Sequence, residues 1–360
     1  MFDAVPEQPE AKRLLAAALA EGPAHAYLFH GPPGVGKRSL ALAFAAQLLG
    51  GDPGRVQRGA HPDLYVLEPL GDQIRIDPIR ELRRDLHMRP FEADRRVYLI
   101  LCAHLMNEDA ADALLKDLEE PPAYATLILV AEELGPLPET IRSRCQPVPF
   151  RRLSERAVRA EVERRAPALS AEEVRAVARL AAGRLDRVER LLDPAAASRG
   201  TELLDAARAV YRDPDFDAAA AAAVVLAGAR ERAADAKAAL EPRLEALELP
   251  ARDAEQRLRR AQRGAERDQL LLALEELASW YRDLLVVGVG APHAAVHADR
   301  LPQLHEDAVP ERLADAEAAA ERVRELWRLM EELNLQAPLA LEALFLDLRR
   351  RLAGPVAAPA

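Results

Sequence analysis

A glycine-rich segment at residues 29–40, FHGPPGVGKRSL, constrains the fold of this chain more than any other feature. Residues 27–29 are apolar and predict the end of a short strand, and residues 38–49 predict a helix. A strand, a glycine-rich loop and a helix in this order form a phosphate-binding loop, in which backbone N–H groups and the helix N-terminus face an anion. The candidate phosphate-binding residues are Gly31, Gly34, Gly36 and Lys37.

The last position of the phosphate-loop pattern departs from its usual residue. The full pattern places Ser or Thr directly after the lysine, where the hydroxyl group binds Mg²⁺. Arg38 occupies that position here. The sequence therefore predicts a loop without its metal ligand, and two interpretations stay open. The loop either still cradles a phosphate or survives as a structural turn that holds the sheet together.

Strand patterns alternate with helix patterns up to about residue 150. Residues 96–102 and 126–131 are nearly continuous apolar runs, which is typical of strands buried on both faces of a parallel sheet. Residues 63–67 and 147–150 predict two further strands, and residues 78–86 predict one of the intervening helices. Strands that alternate with helices after a phosphate loop predict a doubly wound α/β domain.

Strand signals largely stop after Phe150, and the remaining chain predicts helices. Ser170 with Glu173 forms a capping-box pattern at the start of one of them. We therefore expect an α/β domain, a small helical lid and an all-helical domain. The predicted boundaries are residues 1–152 for the α/β domain, 153–198 for the lid, 199–354 for the all-helical domain and 355–360 for a tail.

Charge and cysteine content narrow the class of protein. The formal net charge of −10 argues against nucleic-acid binding over the whole surface but leaves a local basic face open. The two cysteines, Cys102 and Cys145, do not make a disulfide framework. The N-terminus has no signal-peptide pattern, and no apolar run approaches the length of a membrane span. We expect a cytoplasmic protein without membrane contacts.

The strand that should supply catalytic acids lacks them. An ATP-hydrolysing phosphate-loop protein needs an acidic pair here, one acid to orient Mg²⁺ and one to activate the attacking water. No Asp or Glu occurs from Arg96 to Asn107. Since Arg38 already removes one metal ligand, two independent positions are altered together. The sequence therefore predicts that hydrolysis by this chain is weak or absent, with Cys102 and His104 as caps of a buried strand.

Several further segments together carry a resemblance to a known family. They occur in the order HAYLFHGPPGVGK, HPDLYVLEP, IRIDPIREL, MNEDAADALLKDLEEPP and TIRSRCQ. In this order they resemble the delta-prime subunits of bacterial DNA polymerase III clamp loaders, a branch of the AAA+ clamp-loader family that also includes tau/gamma subunits. The segment at residues 255–285 is similar to the family's collar, with its signature at Trp280, Arg282, Asp283 and Leu284. The resemblance covers most of the chain and is weak between residues 200 and 250.

The resemblance implies roles for particular residues. Arg144, within the Ser143–Arg144–Cys145 triplet, corresponds to an arginine finger that reaches ATP held by a neighbouring subunit. Arg187 matches the sensor-2 position, where it either touches a phosphate or serves only lid packing. Cys145 is expected to be a packed interior thiol. The family's acid pair falls on Leu101 and Cys102, a third acid on His104, and Val130–Ala131–Glu132 departs from the sensor-1 pattern.

The resemblance also implies cofactors and partners. Relatives often carry a four-cysteine zinc module, but this chain has no cysteine from Met1 to Leu101, so no zinc site is expected there. No cofactor of its own is expected, although weak ATP or ADP binding stays open. The implied partners are tau/gamma and delta subunits through the collar, the beta sliding clamp, and primer–template DNA through the assembled ring.

The leading hypothesis is a non-catalytic, ring-completing subunit that supports ATP-dependent loading of the sliding clamp onto primed DNA. Such a subunit would belong to the polymerase holoenzyme without ATPase activity of its own. The alternative is an ATP-hydrolysing AAA+ motor subunit of the tau/gamma type. A third hypothesis is a nucleotide-binding module that acts outside replication and has no collar partners.

Overall fold

The chain divides into two compact units in the computed structural model, which describes residue 2 and residues 5–69, 73–132, 134–245, 251–332 and 335–353. The first unit comprises Met1–Pro167 and Gly183–Arg187, and the second comprises Ala168–Ala182 and Val188–Ala360. The three-domain boundaries expected from the sequence stay a prediction. The expected tail at residues 355–360 lies outside the described residues.

A parallel sheet of five strands forms the centre of the first unit. The strands are β1 Ala26–His30, β2 Leu64–Leu67, β3 Arg96–Ile100, β4 Ala125–Ala131 and β5 Gln146–Pro149. Their order across the sheet is β2-β3-β4-β1-β5. β1 therefore lies between β4 and β5, with Phe29 paired to Val130 on one side and to Val148 on the other.

Helices cover both faces of this sheet. They are α1 Pro9–Glu21, α2 Lys37–Leu49, α3 Pro53–Gln57, α4 Ile76–Leu86, α5 Glu108–Glu119 and α6 Glu139–Arg142. The helix α7 Glu155–Arg165 follows the last strand in the same unit. Alternate residues of a strand point to opposite faces. In β1, Tyr27 and Phe29 join the core with α2, whereas Ala26 and Leu28 join the core with α4 and α5. The predicted α/β class, a doubly wound parallel sheet followed by helices, is confirmed.

The helix predicted at residues 78–86 begins two residues earlier, at Ile76. Arg75 is its N-cap residue and has an extended backbone. Pro78 is thus the third helical residue, where the N–H group that proline lacks would have no partner within the helix. The proline marks the first turn of α4, as its sequence position suggested, but not its first residue.

The second unit is built from helices within the part of the chain that the structure describes. They are α8 Ala171–Ala181, α9 Leu185–Leu191 (whose first residues belong to the first unit), α10 Pro194–Arg212, α11 Ala218–Glu245, α12 Ala251–Gly288, α13 Leu301–Asp307, α14 Pro310–Glu332 and α15 Ala337–Leu352. The predicted capping box of Ser170 and Glu173 starts α8. Trp280, Tyr281 and Phe345 are fully buried in the core.

Among the helices of the described ranges, none is both long enough and apolar enough to cross a membrane.

Candidate functional site

The phosphate loop lies at the carboxyl end of β1. The strand ends at His30, residues 31–36 form the loop, and α2 begins at Lys37 with Gly36 as its N-cap residue. The N-terminus of a helix of 13 residues therefore faces the edge of a parallel sheet where ligands commonly bind. The loop predicted from the sequence is present with the expected strand and helix on either side.

Three loop positions need glycine because of nearby atoms, and Gly36 is one of them, with a φ of +94° and a β-carbon that would lie 2.6 Å from Val5 Cγ1. Gly31 has a φ of +139°, and a β-carbon there would lie 2.3 Å from the carbonyl oxygen of Phe150. Gly34 has a φ of +67°, and a β-carbon there would lie 1.7 Å from Asp186 Oδ1. Positive φ and close approach both favour glycine. The glycines of this loop are therefore explained by internal packing even before any phosphate is considered.

Lys37 is turned back into its own loop. Its ammonium group donates hydrogen bonds to the carbonyl oxygens of Gly31 and Pro32. The residue is only 6% exposed. Burial lowers the pKa of Lys37 to about 8, although the nearby carboxylates of Glu132 and Asp186 act in the opposite direction. In this arrangement the lysine that should hold a phosphate instead satisfies loop carbonyls.

Arg38 lies where the usual pattern has a metal-binding hydroxyl. Its Nη2 forms an ion pair with Glu68 Oε1 at 2.6 Å, directly after β2. The Arg38 side chain is 60% exposed. A cation at this position repels Mg²⁺, since like charges disfavour each other at short range. Glu68 is thereby neutralised by Arg38.

The end of β3 is closed by Cys102 and His104. Cys102 adopts the left-handed conformation (φ +52°) and begins a 3₁₀ turn over Ala103–Leu105. His104 Nδ1 accepts a hydrogen bond from the backbone N–H of Glu132 at 3.2 Å, which joins the ends of β3 and β4. Across the described ranges of the chain, no group of three or more His, Cys, Asp or Glu could hold a metal ion.

Two acids, Glu132 and Asp186, act on the loop, and the sequence did not predict this for either of them. Glu132 directly follows β4, and its position at a strand end could have suggested that it lies near the loop. Asp186 is distant in sequence and gave no such signal. Arg184 donates to both carboxylate oxygens of Asp186, at 3.2 and 2.7 Å, and Leu185 N–H donates to Gly34 O at 2.7 Å. Residues 184–186 therefore bind the loop from outside it.

Arg187, the sensor-2 candidate, directly follows this group and is half-buried. The side chain that approaches Gly34 is that of Asp186, one residue earlier. The phosphate or packing role expected for Arg187 remains a prediction.

Arg144 lies in a second cluster, between α6 and β5. Its Nε donates to Glu119 Oε1 at 2.9 Å, and its Nη2 donates to the same oxygen. Its Nη1 donates to Thr140 O at 2.8 Å and to Ser143 Oγ at 3.4 Å. The side chain is 34% exposed. An arginine held by several hydrogen bonds at the surface can present a fixed positive charge to an anion outside the chain.

Cys145, the last residue of the triplet, is 6% exposed. Burial raises the pKa of the Cys145 thiol to about 12, so the thiolate does not form near neutral pH. The predicted interior thiol is what the structure contains. Lys37 and Arg144 thus belong to two separate groups of hydrogen-bonded residues in the first unit.

Comparisons with known proteins point to one family over the first unit. The family model described as DNA polymerase III, delta subunit, matches residues 7–154. The delta-prime subunit of DNA polymerase III from Pseudomonas aeruginosa is 41% identical over 136 residues, which is 34% of this chain and 42% of that protein. The delta-prime subunit from Bacillus subtilis is 34% identical over 163 residues, 42% of this chain and 50% of that protein.

A subunit with another name also matches this region. The tau subunit of DNA polymerase III from Bacillus subtilis is 32% identical over 169 residues, covering 43% of this chain and 30% of that protein. The matched stretches span half or less of the length of these relatives. The resemblance expected from the sequence is confirmed: this chain is similar to delta-prime subunits of DNA polymerase III over 136 to 163 residues.

Proposed function

We propose that the chain is a delta-prime-like subunit of a DNA polymerase III clamp loader that does not hydrolyse ATP itself. In this proposal it presents Arg144 as an arginine finger to ATP bound by an adjacent tau/gamma subunit. Hydrolysis there drives loading of the beta sliding clamp onto primed DNA. The single observation that supports the proposal most is the contrast between the phosphate loop around Lys37 and the contacts around Arg144. The phosphate loop binds its own lysine, whereas Arg144 is fixed at the surface.

The phosphate loop supports the absence of hydrolysis. Lys37 is engaged by Gly31 and Pro32, and Arg38 is paired with Glu68. The positions that carry acids in ATP-hydrolysing relatives are Leu101, Cys102 and His104. A missing general base alone typically lowers a rate by roughly 10²–10⁴-fold. The proposal therefore includes no cofactor of the chain's own and no zinc, with at most weak ATP or ADP binding at Gly31, Gly34, Gly36 and Lys37.

The geometry of Arg144 supports the finger role. A guanidinium group is planar and permanently charged, and the Nη2 N–H that its bonds to Glu119, Thr140 and Ser143 leave over can donate to a phosphate oxygen. An arginine finger supplied by a neighbouring subunit stabilises charge on the transferring phosphoryl group and raises turnover about 10³–10⁵-fold. Ser143 and Cys145 would serve this role indirectly. Ser143 Oγ accepts a hydrogen bond from Arg144 Nη1, and buried Cys145 anchors the segment in the core.

The second unit offers a surface for the proposed collar. Leu339 and Leu346 on α15 are 64% and 47% exposed, and Leu335 just before the helix is 37% exposed. Residues seven apart lie on one helix face, so Leu339 and Leu346 form an apolar stripe. We define these three leucines as the α15 stripe. In the proposal, helices of tau/gamma or delta subunits cover it, and primer–template DNA is reached only through the assembled ring in the cytoplasm.

The alternative is an ATP-hydrolysing motor subunit of the tau/gamma type. The similarity to a tau subunit over 169 residues and the retained loop glycines favour it. Steady-state ATPase assays on the purified chain distinguish the two, since turnover near about 1 s⁻¹ lies in the normal range of enzymes. Failure to co-purify with the other clamp-loader subunits would instead favour a nucleotide-binding module outside replication.

The proposal is tested in a complex reconstituted from this chain with tau/gamma and delta subunits of the same organism. Arg144→Ala is expected to leave assembly intact on size-exclusion chromatography and to remove hydrolysis at the adjacent site. The ATP turnover of the complex, measured with clamp and DNA present, should then fall by at least the fraction that this site contributes. Arg151→Ala is the matched control, because Arg151 is an 85% exposed arginine of the same unit. Equal turnover in all three complexes contradicts the finger role.

A further inference from the structure

Glu119 is an acidic residue at the C-terminal end of α5, a position that does not favour negative charge. It is the last residue of α5 and is followed by Glu120 and two prolines. A negative charge at a helix C-terminus opposes the helix dipole, whose negative end lies there. Its side chain is 50% exposed, so burial does not explain the position either. Another interaction must therefore be the reason for an acidic residue at this position.

The contacts of Glu119 supply that reason. Arg144 Nε and Nη2 both donate to Glu119 Oε1, while Arg144 Nη1 is held from the other side by Thr140 O and Ser143 Oγ. Four of the five N–H donors of the guanidinium group are engaged in this way. The fifth, on Nη2, is left for an acceptor outside the chain.

We propose that Glu119 is the positioning residue for Arg144. It fixes the guanidinium group in one orientation before the neighbouring nucleotide arrives, so that little side-chain freedom is lost when the phosphate binds. The inference rests on the proposed function, since it concerns the same finger. Glu119 itself touches no substrate and acts only through Arg144. An exposed ion pair contributes little to stability, which separates this role from a structural one.

The reporter for this role is single-turnover ATP hydrolysis by the reconstituted complex. The kinetic phase that Arg144→Ala removes belongs to the site next to this chain. Glu119→Ala is expected to slow that phase about tenfold, the effect of losing the order of one long side chain. Binding of ATP to the neighbour, measured as the concentration for half-maximal rate, should not change. Glu119→Gln, which keeps the acceptor oxygen, should retain most of the rate.

A double-mutant cycle decides whether the effect passes through Arg144. In a complex that already carries Arg144→Ala, the residual slow hydrolysis at that site, about 10³-fold below the wild type, is expected not to change further with Glu119→Ala. Glu120→Ala, the adjacent exposed carboxylate, is the matched control and should match the wild type. An unchanged or faster phase with Glu119→Ala, or additive effects in the cycle, overturns the positioning role. If Arg144→Ala removes no phase at all, the finger proposal itself has failed, and the two failures are thus distinguishable.

Discussion

The carboxylate of Asp186 lies against Gly34 of the phosphate loop, so closely that a β-carbon at Gly34 would be 1.7 Å from Oδ1. The neighbouring Leu185 N–H donates to Gly34 O at 2.7 Å. The backbone N–H groups of such a loop are the groups that bind a phosphate. The Asp186 carboxylate also holds the guanidinium group of Arg184 in an ion pair at 2.7 Å, so this positive charge does not act on an anionic ligand, which agrees with the proposal that this chain binds nucleotide weakly.

Removing the Asp186 carboxylate should strengthen nucleotide binding. Asp186→Ala is expected to raise the affinity of the isolated chain for labelled ATP about tenfold, because the guanidinium group of Arg184 loses this ion-pair partner and its positive charge then attracts the phosphates. Fluorescence titration measures the change. Glu189→Ala, an exposed carboxylate of the same helix, serves as the control. If ATP binds neither variant, the loop is a structural turn and its proposed weak nucleotide binding is wrong.

The lowered pKa of Lys37 predicts a pH-dependent stability. Its pKa of about 8 in the folded chain lies below the ordinary 10.5, so folding disfavours the charged form. The resulting decrease in the unfolding free energy is largest below pH 8 and becomes smaller as the pH rises toward 10.5. Between pH 7 and 10, the wild type should therefore gain about 2–3 kcal/mol of unfolding free energy relative to Lys37→Met.

Thiol labelling at Cys145 measures this difference, because Cys145 is buried in the same unit. Labelling is read by mass spectrometry at pH 7, 8, 9 and 10, and the ratio between the two proteins removes the intrinsic pH dependence of thiol reactivity. A ratio that does not change with pH would show that the Lys37 ammonium is not destabilised by burial.

A buried carboxylate stabilises the second unit. Asp307 is fully buried, and it accepts hydrogen bonds from Arg208, Arg212 and Tyr211. Burial alone would raise the pKa of Asp307, but these donors outweigh it and hold the pKa below its ordinary value. Asp307→Ala should lower the unfolding free energy by about 3 kcal/mol, since it leaves two arginines without their buried partner.

Urea unfolding followed by tryptophan fluorescence measures this loss, because both tryptophans belong to the second unit. Glu306→Ala is the matched control. Glu306 pairs with the same Arg208 but is 59% exposed, so its removal should change the unfolding free energy by less than about 1 kcal/mol. Equal losses in the two variants would contradict the importance of burial at Asp307.

The α15 stripe predicts a defect in assembly without a defect in folding. Leu339→Glu combined with Leu346→Glu should leave the melting temperature of the isolated chain unchanged, since both side chains are already exposed. Co-elution with tau/gamma and delta subunits should be lost, because a carboxylate cannot be buried in an apolar interface without a partner. Val289→Glu, at a 74% exposed position of the same unit, is the control and should still assemble. Normal assembly of the double variant would place the collar contacts elsewhere.

Local sequence patterns predicted the strands of the first unit well, although the short helix α3 was not predicted. β3 and β4 are buried on both faces, so their sequences are continuous apolar runs that few other structures produce. The phosphate loop is equally visible, since Gly31, Gly34 and Gly36 precede Lys37 at fixed spacing. The start of α4 was misplaced by two residues because Pro78 is tolerated throughout the first turn.

The chemistry of the two clusters was less visible, because it depends on contacts between distant residues. Asp186 reaches Gly34 across 152 positions of sequence, and Glu119 meets Arg144 across 25. Neither acid lies in a pattern that names its partner. Lys37 looked like a phosphate ligand from its position alone, whereas its direction toward Gly31 and Pro32 follows from the folded loop.

The most direct test of the account compares Lys37 and Arg144 within one assembled complex. Complexes that contain Lys37→Met or Arg144→Ala in this chain are assayed for clamp- and DNA-dependent ATP turnover, with assembly checked by chromatography. The account predicts turnover within about twofold of the wild type for Lys37→Met and loss of the adjacent site's hydrolysis, a factor of about 10³ at that site, for Arg144→Ala. The opposite pattern, in which Lys37→Met removes turnover and Arg144→Ala leaves it intact, would show that the chain hydrolyses ATP in its own phosphate loop.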